Sequence, residues 1–260
     1  MKLVIVTAIH QRFHLTYAFL RAMERIRNDF GIETYAAVSY EDDCVDLLKE
    51  FQIAYVEHEN KPVGKKFNAA VNMLRDVDFT HLMILGSDDI PSSRFIEYSL
   101  EQDPNNEFDY IGIDGLWFWG MNPRRAGYKT FGYFPVKGVL AGPGKMVSRR
   151  VVEACDYELW PYNCNYGMDA QMMKKGRLAL KSQGVIPTIK KYSNTDGGGF
   201  LVDVKYEKHI SSLSPIHRRE CYQEQDPQVV LPKHLSSNEC NYLFSLLEDV
   251  DKDWEEKKKL

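Results

Sequence analysis

Asp88 and Asp89 stand side by side just beyond the apolar run Leu82-Met83-Ile84-Leu85, with Gly86 and Ser87 between. Adjacent carboxylates at the end of a buried strand repel each other unless a cation or a bound hydroxyl offsets them. Hard oxygen donors of this kind suit Mg²⁺ or Mn²⁺. A divalent ion held there neutralises a diphosphate and helps it leave as an anion. The string Asp88-Asp89-Ile90-Pro91-Ser92 is also ordinary turn and helix-start chemistry, since Asp and Ser side chains accept hydrogen bonds from backbone N–H groups. Asp169 can cap the helix expected to follow it. Lys65 can bring a point charge to a diphosphate, although a lysine on the exposed side of a helix start is usually solvated. Asn68 can fix a loop or contact a bound group.

Such groups work together only if a scaffold gathers them. Leu3–Thr7 reads as a short strand, and Phe19, Leu20, Met23, Ile26 and Phe30 follow the helical period. Thr34–Ser39 reads as the next strand. Cys44, Leu47, Leu48 and Phe51 mark a second helix, and Ile53–Val56 a third strand. Phe67, Ala70, Val71 and Leu74 give a third helix its apolar face before the strand at Leu82–Leu85. This alternation predicts an α/β fold with a mostly parallel central sheet and helices on both faces. Ligands of such sheets bind outside the carboxyl ends of the strands, where Thr7, Ser39 and Asp88 are expected to fall. Asp42 and Asp43 follow the second strand and can cap its helix.

Beyond a helix expected at Phe95–Leu100 the alternation stops. Phe108–Ile113, Gly115–Trp119 and Lys129–Phe134 read as strands joined by turns, and Ser148 can cap a helix running to Cys155. The helix at Asp169 has Gly176 as its expected stop. Ser236-Ser237-Asn238-Glu239 is a capping box ahead of the stripe Leu243, Leu246, Leu247. That C-terminal helix can pack on the rest of the chain or pair two copies as a homodimer.

Composition narrows the classes. At 260 residues, 44% of them hydrophobic, the chain can bury a large core, so disorder is excluded. A net charge of −4 argues against a general nucleic-acid binder. The N-terminal apolar run breaks at His10-Gln11-Arg12, too early for an export signal, and no later segment approaches the ~18–20 apolar residues needed to cross a bilayer. Five cysteines lack any C-x-x-C pairing, which points to a reducing, cytoplasmic compartment.

Three short motifs resemble those of the GT-A glycosyltransferases, most closely the family-2-like group. Gly64-Lys65-Lys66-Phe67-Asn68-Ala69-Ala70 looks like the family's glycine-and-asparagine segment before the acidic strand. Leu85-Gly86-Ser87-Asp88-Asp89-Ile90-Pro91 looks like its D-x-D segment, and Gly167-Met168-Asp169 like the Glu-Asp pair that carries the base of inverting members. Gly86 stands where many relatives have the first Asp, and Met168 where they have Glu. The resemblance implies a GT-A domain over 1–220, with a nucleotide-sugar-binding half at 1–103, a mixed acceptor-side half at 104–220, and a helical extension at 221–260. It implies donor contacts from Thr7, Ala8, His10, Asp42, Lys65, Asn68, Ser87 and Asp88. It also implies Mn²⁺ or Mg²⁺ on Asp88 and Asp89, with a histidine from the C-terminal part: His209, or next His217. The implied reaction moves a sugar, from a UDP-sugar for preference, to a hydroxyl acceptor such as a glycan. Asp169 would be the base, and Trp160, Tyr162 and Tyr166 a stacking wall for the acceptor. A non-catalytic binder that kept the fold is the main alternative. A sugar-1-phosphate nucleotidyltransferase would need a Gly-rich loop after the first strand, and Thr7-Ala8-Ile9-His10-Gln11-Arg12-Phe13 contains no glycine.

Overall fold

The computed structural model describes residues 1–120, 131–136, 140–195, 198–205 and 223–258. Its first part follows the expected alternation: β1 (Leu3–Ile9), α1 (Phe13–Phe30), β2 (Thr34–Ser39), α2 (Cys44–Glu50), β3 (Ala54–His58), α3 (Val63–Asn72) and β4 (His81–Ile84). β1, β2 and β3 pair in parallel in chain order, while β4 joins the opposite edge of β1, also in parallel. The order therefore reverses at β1 and β4, and their carboxyl ends frame the crevice where α/β sheets bind ligands.

Both faces of this sheet are covered. Along β1, Leu3 and Ile5 enter one apolar cluster, with Phe19 and Met23 of α1 and Leu48 of α2. Val4 and Val6 point the other way, into a cluster with Ala70 and Val71 of α3. Alternate side chains of a strand face opposite sides, so a strand buried on both faces reads as one unbroken apolar run. α1 stops at Gly31, whose positive φ of 69° lets its N–H reach back to the Arg27 carbonyl at 2.8 Å.

The second part contributes β5 (Asp89–Pro91), α4 (Ser93–Glu101), β6 (Tyr110–Ile113), β7 (Gly115–Gly120), β8 (Phe131–Pro135), β9 (Lys145–Ser148), α5 (Arg149–Ala154), α6 (Met168–Ser182), β10 (Ile189–Tyr192), β11 (Leu201–Lys205), β12 (Gln223–Glu224), α7 (Pro227–Val230) and α8 (Ser237–Lys258). Among the described residues the main sheet has seven strands in the order β10-β6-β9-β4-β1-β2-β3, and β9 is the strand that runs antiparallel to its neighbours. A second, mixed sheet has the order β12-β8-β7-β11-β5. This is a GT-A-like architecture. The main sheet draws strands from both sides of residue 103, and β12 ties the region after 221 to β8.

Two helix ends are as expected. The Ser148 hydroxyl accepts from Val151 N at the start of α5, and Ser236 and Glu239 close a reciprocal capping box before α8. Two expectations fail locally. Gly176 does not stop α6, which runs through it to Ser182; a Cβ there would lie 2.1 Å from the Tyr110 hydroxyl, so the glycine lets α6 press against β6. Asp169 does not cap α6, because Gly167 holds that position in the left-handed conformation. The stripe residues Leu243 and Leu246 of α8 are buried in the chain's own core, with Tyr242 against Tyr17 of α1 and Glu239 paired to Arg25 at 3.0 Å. No described helix is long and apolar enough to cross a membrane.

Candidate active site

The loop after β4 folds its acids back onto itself. Asp89 N donates to Gly86 O at 3.1 Å, and the Asp89 carboxylate in turn accepts from Gly86 N. A Cβ at residue 86 would lie 2.5 Å from Asp88 Oδ1 and 3.0 Å from Asp89 Oδ2. Glycine stands at position 86 because the two following carboxylates occupy the space a side chain would need.

A third carboxylate arrives from β11. β11 runs antiparallel to β5 with Asp203 opposite Asp89, and Val204 N donates to Asp88 O at 2.8 Å. Asp88, Asp89 and Asp203 each place an oxygen within 4.8 Å of the other two. Asp89 is 2% exposed, and its Oδ1 has no hydrogen-bond partner among the described residues. Three oxygen donors converging around one unpaired buried oxygen fit a hard divalent cation.

Two cations close on the trio. Arg12 Nη1 lies 2.9 Å from Asp88 Oδ2, and its Nη2 donates to Ser87 Oγ at 2.8 Å. Lys205 Nζ lies 2.5 Å from Asp203 Oδ1 and 3.4 Å from Asp88 Oδ2. Burial, reinforced by Asp203 and Asp88, pushes the Asp89 carboxyl well above the usual range. Burial likewise lifts Asp203, to about 6, against the opposing pull of Lys205. Burial works against the charge of Lys205, but Asp203 and Asp88 overcome it and raise its pKa. The turn that aims Arg12 is strained: Gln11 and Arg12 are consecutive non-glycine residues at φ 55° and 62°. Gln11 N is anchored by Asp42 Oδ2 at 2.7 Å.

These groups line a cleft of about 500 Å³ that also includes Ala8, His10, Lys66, Phe67 and Asp169. Lys66 turns inward from α3 and is 1% exposed. Its ammonium donates to the Ile9 carbonyl and to Ser39 Oγ at 2.7 Å. Burial outweighs the attraction of Asp42, and the lysine's pKa falls to about 8. Lys65, the neighbour expected to face the diphosphate, points outward and lies 4.9 Å over the Tyr162 ring. Asn68 spends both ends of its amide on Trp160, accepting from its N at 3.0 Å and donating to its O at 2.9 Å, so it fixes the loop.

Thr7 lies inside β1 rather than at its end; it is buried, and its Oγ1 has no hydrogen-bond partner among the described residues. His10 Nδ1 lies 2.8 Å from Ser39 Oγ and 3.6 Å from Asp42 Oδ2. Asp42, not Asp43, accepts from Cys44 N at the start of α2, at 3.1 Å. The backbone N–H groups of Gln11 and Cys44 hold its carboxyl low despite burial.

Asp169 sits in the first turn of α6, half exposed, 3.4 Å from the fully buried ammonium of Lys145 on β9. Trp160 is buried against Phe67 and forms core, whereas Tyr162 and Tyr166 are exposed. His209 and His217 lie outside the described residues. Sequence reasoning missed Arg12, Lys66, Lys145, Asp203 and Lys205. For Asp203 a signal existed: Leu201-Val202-Asp203-Val204 sets an acid inside an apolar run, which argues for a partnered buried charge.

No protein-family model and no curated protein sequence matches this chain. Solved structures do. S. aureus TarS 1–349 in complex with UDP-GlcNAc aligns with a TM-score of 0.55 at 13% identity, over 80% of this chain and 60% of that one. A crystal structure of S. aureus TarS gives 0.53 at 14% identity, over 78% of this chain and 37% of the other. The likeness is one of fold, and the chain spans less than two thirds of either protein.

Proposed function

We propose that the chain is a metal-dependent glycosyltransferase that moves a sugar from a nucleoside-diphosphate sugar, a UDP-sugar for preference, to a hydroxyl of a glycan acceptor. The observation that carries this reading is the convergence of Asp88, Asp89 and Asp203 with Lys66 and Asp169 in one cleft, at the switch point of the sheet. Asp88, Asp89 and Asp203 would hold Mn²⁺ or Mg²⁺, with His209 as a further candidate ligand. When bound, such an ion supplies positive charge that offsets the departing diphosphate.

The chain's own groups do the rest. The nucleoside lies along Ala8, His10 and Asp42, where the ends of β1 and β2 meet. Lys66, an ammonium that donates to the neutral oxygens of Ile9 and Ser39, faces the phosphates and loses less on charging once an anion is beside it. Asp169 takes the proton of the acceptor hydroxyl as its oxygen attacks the sugar carbon opposite the diphosphate, whose bond to that carbon breaks, so the configuration there inverts. Lys145 keeps the carboxylate oriented from behind. Tyr162 and Tyr166 offer exposed ring faces to the acceptor sugar.

The test is donor binding and hydrolysis with a panel of UDP- and GDP-sugars, with and without Mn²⁺. Metal-dependent release of one nucleoside diphosphate, abolished in the Asp88→Ala/Asp89→Ala double variant, supports the proposal and names the donor class. Binding without turnover, even with glycan acceptors supplied, transfers the fold to a non-catalytic binder. Failure of every donor to bind with metal sinks the reading.

A further inference from the structure

Lys205 already sits where a cation shared by Asp88 and Asp203 would go. Its ammonium touches both carboxylates, at 3.4 and 2.5 Å, and its side chain is 11% exposed. A divalent ion lies about 2.0–2.6 Å from its carboxylate oxygens, so the ion and the ammonium compete for one volume and repel each other there. The trio is not saturated by this lysine, because the buried Oδ1 of Asp89 has no hydrogen-bond partner among the described residues. Arg12 is pinned by a two-point grip on Ser87 and Asp88. Lys205 has a four-carbon stem with three rotatable donors, and it lines the same cleft as Lys66 and Asp169. An ammonium driven off the carboxylates gains a new anionic partner when a phosphate enters that cleft; the other carboxylate there, Asp169, is already paired with Lys145.

We propose that Lys205 is the resident counter-ion of the acidic trio, displaced by the divalent cation and passed to the phosphates of the bound nucleotide. This rests on reading Asp88, Asp89 and Asp203 as the metal site. The lysine keeps three crowded carboxylates tolerable in the empty cleft. It then becomes a phosphate ligand, so cation and nucleotide each make room for the other. The coupling is reciprocal: Mn²⁺ and nucleotide should each tighten the binding of the other.

The experiment uses the full chain and its Lys205→Met variant, with free Mn²⁺ followed by electron paramagnetic resonance in the absence of nucleotide. Lys205→Met is expected to bind Mn²⁺ about tenfold tighter than the native chain, because a competing charge is gone. Added Mn²⁺ is expected to raise its melting temperature more than that of the native chain. At saturating Mn²⁺ the variant is expected to bind UDP about tenfold more weakly, having lost a phosphate contact. If Lys205→Met does not fold, Lys205→Gln takes its place. Mn²⁺ affinity unchanged or reduced in the variant, with the native chain binding Mn²⁺, overturns the role of Lys205 and leaves the metal site standing. Mn²⁺ binding by neither chain overturns both.

Discussion

Asp42 and Asp89 are both buried aspartates within a few residues of the carboxyl end of a parallel strand, β2 and β4 respectively. Asp42 is surrounded by donors: Gln11 N and Cys44 N each point at one of its oxygens, and its carboxyl is held low. Asp89 has one oxygen on Gly86 N and the other without a donor among the described residues, and its carboxyl is pushed up. The first arrangement is what a fold does with an acid it needs for its own backbone. The second leaves an acid unsatisfied where a ligand can satisfy it, which stability alone does not favour.

Substitutions to asparagine separate the two most sharply. Asp89→Asn should lower turnover by about 10²–10³, the scale of losing one electrostatic contact in a preorganised site. Its thermal stability should hold or rise, because a carboxylate crowded by Asp88 and Asp203 is gone. Steady-state kinetics and thermal melts on the same preparation check both halves; a clear loss of stability would break the comparison.

The two buried lysines of the cleft sharpen it. Lys66 lacks the carboxylates that hold Lys205, and its folded pKa lies near 8 against an ordinary 10.5. Below pH 8 the native chain carries the full penalty of a buried charge. As pH rises from 8 toward 10.5 the unfolded chain retains that proton and the folded one does not, so stability increases. Relative to Lys66→Met, the native chain should gain on the order of 3 kcal/mol across that window, from about 1.4 kcal/mol per pKa unit. Urea denaturation of both chains at pH 8 and pH 10 measures the difference, and parallel curves would contradict it.

Asp42→Asn is the mirror of Asp89→Asn. An amide cannot accept from both N–H groups, so the variant should lose about 1–3 kcal/mol of stability. Its turnover should fall far less than that of Asp89→Asn. The smallest effect is expected at an exposed aromatic ring. Tyr162→Ala should raise the acceptor KM by less than about tenfold, in line with 0.5–1.5 kcal/mol for an aromatic contact, and leave donor hydrolysis unchanged.

What could be read in advance follows from the same physics. β1, β2 and β4 were legible because strands buried on both faces are unbroken apolar runs, and the β2 limits, Thr34–Ser39, match the sequence reading, whereas the edge strand β3 is only partly buried. β9 was hidden by Lys145, a charge inside a strand that folding buries completely. β11 was hidden by Asp203 and Lys205 in the same way. Lys65 and Lys66 could not be told apart because adjacent helical residues point about 100° from each other, and which one enters the cleft depends on where α3 begins. Gly176 carried the signature of a helix stop, but its reason lies in Tyr110, distant in sequence. The acidic loop announced itself locally. Its third carboxylate and both its cations come from other strands and turns, which local pattern does not join.

The place of β9 between β4 and β6 bears on how the chain can be made. Residues 1–84 contain everything needed to pair β1 through β4, so this part can assemble early from near neighbours in sequence. Until residues 145–148 have been synthesised, however, the outer edge of β4 has no strand to bond with, and a bare apolar edge invites pairing with the same edge of another nascent chain. The strand that delivers Lys145 to Asp169 is thus also the seal on the early half, and a ribosome stalled before it would release a chain with that edge bare.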